Sequence, residues 1–463
     1  MGAHLFQLAT DLPAARSQMA FTLGFHIILA SMGVAFPTII LTANYIGLRR
    51  GDDDALRLAQ RWSKVAAVLF AVGAITGTVL SFEMGLLWPD FMSRFGEVFG
   101  PAFALEGIFF FVEAIFMAVY IFGWKRLSGW AHFWTGVPVV ISGLGGALSV
   151  VAVNSWMNTP DGFKVASDGS LTDVNPLDAL LNKAVTYEAP HMILAAYMVA
   201  GFLVASVYAV GMLRGRRDRH HRLGLLIPLT LAAIATPIQL GVGDTAARSI
   251  ADDQPVKFAA MECVQKTSTD VTEYILGRCT SSGIKGGIGI PGLDSWLVGF
   301  STDTKVTGLD SVPSDRRPPA NTMLHWAFDI MVGIGTALMG LGLWLAATWL
   351  FRRDMPRTPW FLRATAVSGV AAVVALECGW IVTEVGRQPY IVYGVMRTKD
   401  AVTEASGVWV SLSVVMVLYA AIGTATVLVL RAMTRRWRTA ELDESEGPYS
   451  PRPGPQELAE EQA

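Results

Sequence analysis

Two glutamates seven residues apart, Glu106 and Glu113 in "PAFALEGIFFFVEAIF", stand in a stretch otherwise built of apolar side chains. Carboxylates in such a setting are costly unless they pair, bind a ligand or carry protons. Seven residues is close to two helical turns, so both lie on one face, with Glu113 about 10 Å further along. His26, in "FTLGFHIILASMGVAF", has no polar neighbour in sequence. His191 opens the run "HMILAAYMVAGF", Met331 lies in "FDIMVGIGT", and Glu384 and Arg387 lie in "TEVGRQPY" at the end of "ATAVSGVAAVVALECGWIV". A lone histidine at a helix start is often an interfacial or capping residue, and a lone methionine in an apolar run usually fills a packing gap. Taken together, histidine, methionine and carboxylate suggest axial ligands to haem iron, and His/Met ligation is one way to raise a haem potential. His220 and His221 read as solvated in a basic run, and His132 and His325 as polar rings at helix ends.

The elements that must position these groups are membrane helices. Of the 463 residues, 52% are hydrophobic and only 16% charged, and the mean hydropathy is +0.44, far from a soluble domain. Apolar stretches of about 20 residues fall near 17–47, 64–87, 99–123, 131–156, 191–213, 222–243, 323–350, 362–385 and 407–431. The expected fold is therefore all-α, a polytopic bundle of about nine spans. Basic residues collect in every second connection: "LRRGDDDALRLAQRWSK", "GWKRLSG", "RGRRDRHHR", "FRRDMPRTPWFLR" and "RAMTRRWR". The positive-inside rule makes these cytoplasmic and puts the N-terminus outside and the C-terminus in the cytoplasm. On that topology His26, Glu106, His191, Met331 and Glu384 share the outer half of the membrane, and Glu113 reaches toward its middle. The first run lacks the features of a cleaved signal and is expected to be retained. With a net charge of -2 and no basic stripe beyond the membrane flanks, nucleic acid is excluded as a partner.

The chain divides into helices at 1–243, an outer loop at 244–322, helices at 323–431 and an acidic, Pro-rich tail at 432–463 expected to be disordered. The outer loop is the longest and most polar, a frequent mark of function. Cys263 and Cys279 share it; a disulfide and two free thiols are both open readings. Cys378 reads as core.

The strings "ARSQMAFTLGFH", "ALEG", "NSWMNTPDG", "APHMILAAYMVAGF", "QPVKFAAMEC", "FDIMVGIGT" and "EVGRQPY" occur in an order and at spacings that resemble subunit I of the cytochrome bd quinol oxidase family, over nearly the whole chain apart from the tail. The resemblance implies a quinol:oxygen oxidoreductase of the bacterial cell membrane, with haem b558, haem b595 and haem d, or a further b-type haem in place of haem d. His191 and Met331 would be the axial ligands of b558. His26 and Glu384 would serve the high-spin pair, in an order the sequence leaves open. Glu106 would sit beside the oxygen-reducing haem with Glu113 leading protons toward it, Trp380 would stack between haems, and Arg387 would neutralise a propionate or the Glu384 region. Lys257 and Glu262 match the family's quinol-loop lysine and glutamate, a cation beside a proton-accepting carboxylate. The partners implied are a second membrane subunit, in some members also a single-helix one, together with lipid and quinol.

Three departures from the family pattern stand out. Tyr390 replaces a tryptophan, Asp329 stands two before Met331 where some members have arginine, and Glu106 and Glu113 are one residue closer than in some relatives. The outer loop is of the short type. Two other classes compete with the oxidase reading. A proton-coupled transporter would show an inverted repeat, and none is evident; an electron-transfer anchor would need His191 and Met331 but not His26, Glu106 and Glu384.

Overall fold

The computed structural model describes residues 2–440 and 448–449, with side chains described from Leu12 to Trp437 and at Pro448 and Tyr449. Four long helices come first: α1 (Gly2–Arg50), α2 (Asp53–Leu87), α3 (Pro89–Gly123) and α4 (Gly129–Asn158). A small hairpin of β1 (Lys164–Val165) and β2 (Leu171–Thr172) and a short α5 (Pro176–Leu180) lead to α6 (Val185–Leu213) and α7 (Arg219–Asp253). After the loop elements come α10 (Thr322–Arg352), α11 (Pro359–Gly386) and α12 (Val408–Ala440). Among the described residues nine helices are long and apolar enough to cross a membrane, as the hydropathy pattern anticipates. Several run beyond their apolar stretch: α3 begins at Pro89 rather than near 99, and α7 ends at Asp253 rather than near 243.

Local chemistry explains where the helices start. Asp52 caps α2 by accepting from the Ala55 amide at 3.3 Å, and Asn321 caps α10 by accepting from Leu324 at 3.0 Å; each satisfies an amide that has no partner within the helix. Gly51, with φ +63°, makes the tight turn between α1 and α2. Small residues allow close helix approach. A Cβ at Gly201 on α6 would lie 2.7 Å from the Pro228 carbonyl oxygen of α7, and one at Gly369 on α11 would lie 2.7 Å from Leu203 Cα of α6.

Aromatic side chains consolidate one end of the bundle: Phe91 stacks on Phe99 with centroids 5.0 Å apart, and Phe95 meets the edge of Trp156 at 5.3 Å. A second core joins Ile39, Leu58, Trp62 and Tyr120, and a third joins Phe202, Leu225, Leu229 and Phe361. The outward faces keep large apolar groups such as Phe82, Phe111 and Val417 exposed, as helices covered by lipid or a partner subunit must.

The segment between α7 and α10 is folded rather than irregular. It holds α8 (Pro255–Met261), β3 (Glu273–Ile275) paired antiparallel with β6 (Ile288–Ile290), β4 (Arg278–Thr280) paired with β5 (Gly283–Lys285), and α9 (Leu293–Gly299). Cys263 and Cys279 are joined in a disulfide with Cα atoms 5.9 Å apart, which closes the question their spacing left open. A last hairpin, β7 (Tyr390–Val392) with β8 (Met396–Arg397), follows α11.

Two boundaries need correction. The connection between α7 and α10 starts near 254 rather than 244, because α7 continues through polar residues to Asp253. The tail does not begin at 432, because α12 runs to Ala440 and Tyr449 is seated against the bundle. The other tail residues lie outside the described ones. His132 and His325 are wholly buried rather than interfacial, because each finds backbone carbonyls as partners: Tyr120 at 2.7 Å for His132, Met261 at 3.0 Å for His325.

Candidate functional site

Helix α11 carries the most concentrated chemistry. Near its end Glu384 accepts from Arg387 Nη2 at 2.7 Å and from Asn154 Nδ2 of α4 at 2.9 Å. The Arg387 side chain is only 3% exposed, and its Nε and Nη1 are buried without a partner among the described residues. A guanidinium with spare donors in a buried position calls for a further anion. Lys257 closes the group, with a Cβ at Gly386 falling 3.0 Å from its Cγ. Glu188 of α6, held by Asn158 Nδ2 at 2.9 Å, acts electrostatically on the same lysine.

Burial pulls the Lys257 ammonium down to about 8, with Glu188 and Glu384 opposing and Arg387 assisting the shift. The sequence reading paired Lys257 with Glu262. In the structure their surroundings differ, because five residues along α8 turn the side chains about 140° apart. Lys257 faces Glu188, Arg387 and Glu384, whereas Glu262 faces Glu273, Asp294 and Asp329.

The loop carboxyls form their own buried group. Burial pushes Glu262 well above the usual carboxylate range, and Glu273, Asp294 and Asp329 push it the same way. Burial likewise drives Glu273 up to about 8 and Asp294 up to about 7. Groups that titrate this close to neutrality are suited to taking up and passing on protons. Asp329 accepts from the Leu276 amide at 2.5 Å and lies 3.4 Å from His325 Nε2, so this carboxylate ties the loop to α10. Tyr390 meets the edge of Tyr393 at 5.8 Å, and Glu384 and Arg387 remain paired behind it.

The ligand-type side chains share one local design, with a glycine on the neighbouring helix. A Cβ at Gly243 on α7 would lie 3.3 Å from His191 Cε1, one at Gly77 on α2 3.1 Å from His26 Cε1, and one at Gly379 on α11 2.8 Å from Met331 Sδ. His191 Nε2 lies 3.3 Å from Gln239 Nε2 while its Nδ1 is buried without a partner, and the Trp380 N–H is likewise unpartnered among the described residues. His26 Nδ1 is 2.9 Å from Thr76 Oγ1. On α3, Glu106 is half-buried and Glu113 buried, and a Cβ at Gly143 of α4 would lie 3.8 Å from Glu113 Oε1.

The structure adds groups that the sequence reading did not single out. Glu377, seven residues before Glu384, reaches toward α1, where a Cβ at Gly24 would lie 3.2 Å from its Oε2. Its signal was present, a carboxylate inside an apolar run. Glu83 accepts from Gln18 at 2.8 Å and Thr22 at 2.6 Å. Glu188, Asn154 and Asn158 flank the Glu384 group, and of these only Glu188, three residues before His191, carried a hint. Cys378, read as core, is a free thiol of intermediate burial.

Comparison with known proteins gives consistent matches over the length of the chain. The family described as cytochrome bd terminal oxidase subunit I matches residues 14–437. A Bacillus subtilis protein named "Putative cytochrome bd menaquinol oxidase subunit I" is 35% identical over 91% of this chain and 96% of its own. The cytochrome bd ubiquinol oxidase subunit 1 of the same organism is 29% identical, covering 85% of this chain and 86% of its own. The solved structure of the bd oxidase from Geobacillus thermodenitrificans superposes with a TM-score of 0.86 at 33% identity, over 92% of this chain and 98% of that one.

Proposed function

Because the chain belongs to the cytochrome bd terminal oxidase subunit I family, we propose that it oxidises quinol at the outer membrane face and reduces oxygen to water in the outer half of the bilayer, adding to the proton gradient without pumping. The family fixes the coarser statement: a quinol oxidase of the bacterial membrane that holds haem and works with subunit II. A single-helix third subunit is part of the proposal.

Bound haem supplies one-electron transfer and, where an iron position stays open, the reduction of oxygen. The side chains fit such a group, since unsatisfied buried donors on Arg387, Trp380 and His191 and glycines facing His26, His191 and Met331 suit a flat, anionic cofactor. His191 and Met331 would hold haem b558, and His26 and Glu384 would hold haem b595 and haem d, or a second b haem in its place. Trp380 would stack beside them, and Arg387 would neutralise a propionate as well as Glu384. Glu106 would hold a proton next to the oxygen site, supplied through Glu113 from the cytoplasmic side. At the loop, Lys257 orients charge toward the haem end, while Glu262, backed by Glu273 and Asp294, accepts the quinol protons and releases them outside. The buried Arg387–Glu384 pair with its spare donors carries this reading most directly.

Quinol-driven reduction of the low-spin haem, followed against pH in the purified complex, tests it. The loop acids must be ionised to take protons, so the rate should rise as pH climbs through about 7 to 8, where Asp294 and Glu273 titrate. Glu262→Gln should slow the quinol-driven rate by about tenfold or more, within the usual range for proton transfer by a positioned group, and leave dithionite reduction unchanged. An unaltered quinol rate in Glu262→Gln would remove the loop from the mechanism.

A further inference from the structure

Helix α3 carries a third polar group in the line of Glu106 and Glu113. Tyr120 lies seven residues beyond Glu113, on the same face and about 10 Å further along. It is buried, and its hydroxyl accepts from Asn44 Nδ2 of α1 at 3.1 Å. The ring of His132 from α4 stacks on it, with centroids 4.3 Å apart and planes 20° apart. His132 Nε2 faces the Tyr120 carbonyl oxygen at 2.7 Å, so Nε2 carries the hydrogen and Nδ1 is the acceptor. That acceptor, and Asn44 Nδ2, both point to one further group.

The group is Tyr449, from the C-terminal tail. Its hydroxyl lies 2.9 Å from His132 Nδ1, to which it donates, and 3.0 Å from Asn44 Nδ2, from which it accepts. Its ring packs on Trp124 at 5.1 Å and on His132 at 5.6 Å. Trp124 in turn donates to Ser63 Oγ at 3.3 Å. Beside these residues a cavity of about 10 Å³ is lined by Ser63, Met117, Tyr120 and Val139 among others; it has room for about one water. Charge supports the match. The sequence between Ala440 and Tyr449 is rich in Asp and Glu, and the turn beside the pocket carries Lys125 and Arg126.

We propose that the pocket formed by Asn44, Trp124 and His132 is a binding site for the chain's own C-terminal tail, with Tyr449 as the anchor. Docked, the tyrosine covers the loop end of the Tyr120–Glu113–Glu106 line. Undocked, it leaves Trp124, His132 and Asn44 open to water. The docking rests on geometry alone; its bearing on proton supply rests on the oxidase reading above.

The test uses Ser63→Cys in a Cys378→Ser background of the intact complex, labelled by a small maleimide from the cytoplasmic side. Labelling should be slow with the full tail. It should be at least about tenfold faster in Tyr449→Ala and in a chain ending at Ala440, because two hydrogen bonds and the packing of a half-buried ring are lost, with Tyr449→Phe in between. A synthetic peptide of residues 441–463 added to the shortened chain should restore protection, and its Tyr→Phe form should do so less well. Equal labelling of all forms overturns the proposal. Should Ser63→Cys fail to assemble, hydrogen exchange across 120–132 in the otherwise unaltered chain decides the same point: faster exchange without Tyr449 supports docking, and equal exchange overturns it. Oxygen consumption and haem spectra of the parent complex are recorded alongside. Loss of those signals contradicts the oxidase reading and leaves the labelling result to judge the tail.

Discussion

Substituting His191 by alanine is expected to abolish the low-spin haem signal and to lower quinol-driven oxygen consumption by at least about 100-fold, with the bundle still assembling. The magnitude follows from position: changing a residue that merely supports a metal ligand costs roughly 10–100-fold, and His191 is proposed as the ligand itself. Assembly should survive because His191 is only half-buried, and the cores around Phe202 and Leu225 do not depend on it. Met331→Leu should act in the same direction with less loss of haem, since leucine keeps the packing but not the sulfur. The readout is the reduced spectrum together with oxygen uptake. A His191→Ala complex with a full low-spin band would transfer that ligand role to another residue.

Glu384→Ala should have the second largest effect, and it should act on stability as well as on haem content. The change strips Arg387 of its partner in a position where the guanidinium is 3% exposed. Breaking a buried pair from one side costs about 3–5 kcal/mol; with the Glu384 side chain 29% exposed, the lower end of that range applies. Asn154 loses its acceptor at the same time. Asn154 and Arg387 donate to different oxygens of Glu384, so Glu384→Gln keeps an acceptor for only one of them and should recover part of the thermal stability without restoring the high-spin haem. A Glu384→Ala complex that melts like the wild type and retains all its haem would refute both roles.

The sequence makes the helices legible because a membrane span is a local property: about 20 apolar residues announce it without reference to the rest of the chain. His26, Glu106, Glu113 and Glu384 were visible for the same reason, as polar groups where hydropathy leaves no room for them. Glu377 sends the same signal, more weakly than the neighbouring "TEVGRQPY". The different surroundings of Lys257 and Glu262 are not legible in sequence, because adjacency says little about which way each residue faces on a short helix. Burial of Glu273 depends on the pairing of β3 with β6, and that of Asp294 on the packing of α9, neither of which a motif in the sequence announces. Tyr449 was hidden in a different way, since its acidic, Pro-rich surroundings have the composition of a disordered tail and its partners on α1 and α4 lie more than three hundred residues away. The Cys263–Cys279 bond shows the same limit, as spacing allowed the pairing and only the fold of the loop brought the two together.

On the proposed function, this chain brings a low-spin haem and an oxygen-reducing high-spin pair into one bundle. Reduced-minus-oxidised and carbon monoxide difference spectra of the purified two-subunit complex test it most directly. The expected result is one low-spin b haem reduced by quinol and two further high-spin haems, with carbon monoxide binding at the oxygen site. A spectrum showing low-spin b haem alone, with no carbon monoxide response, would contradict it.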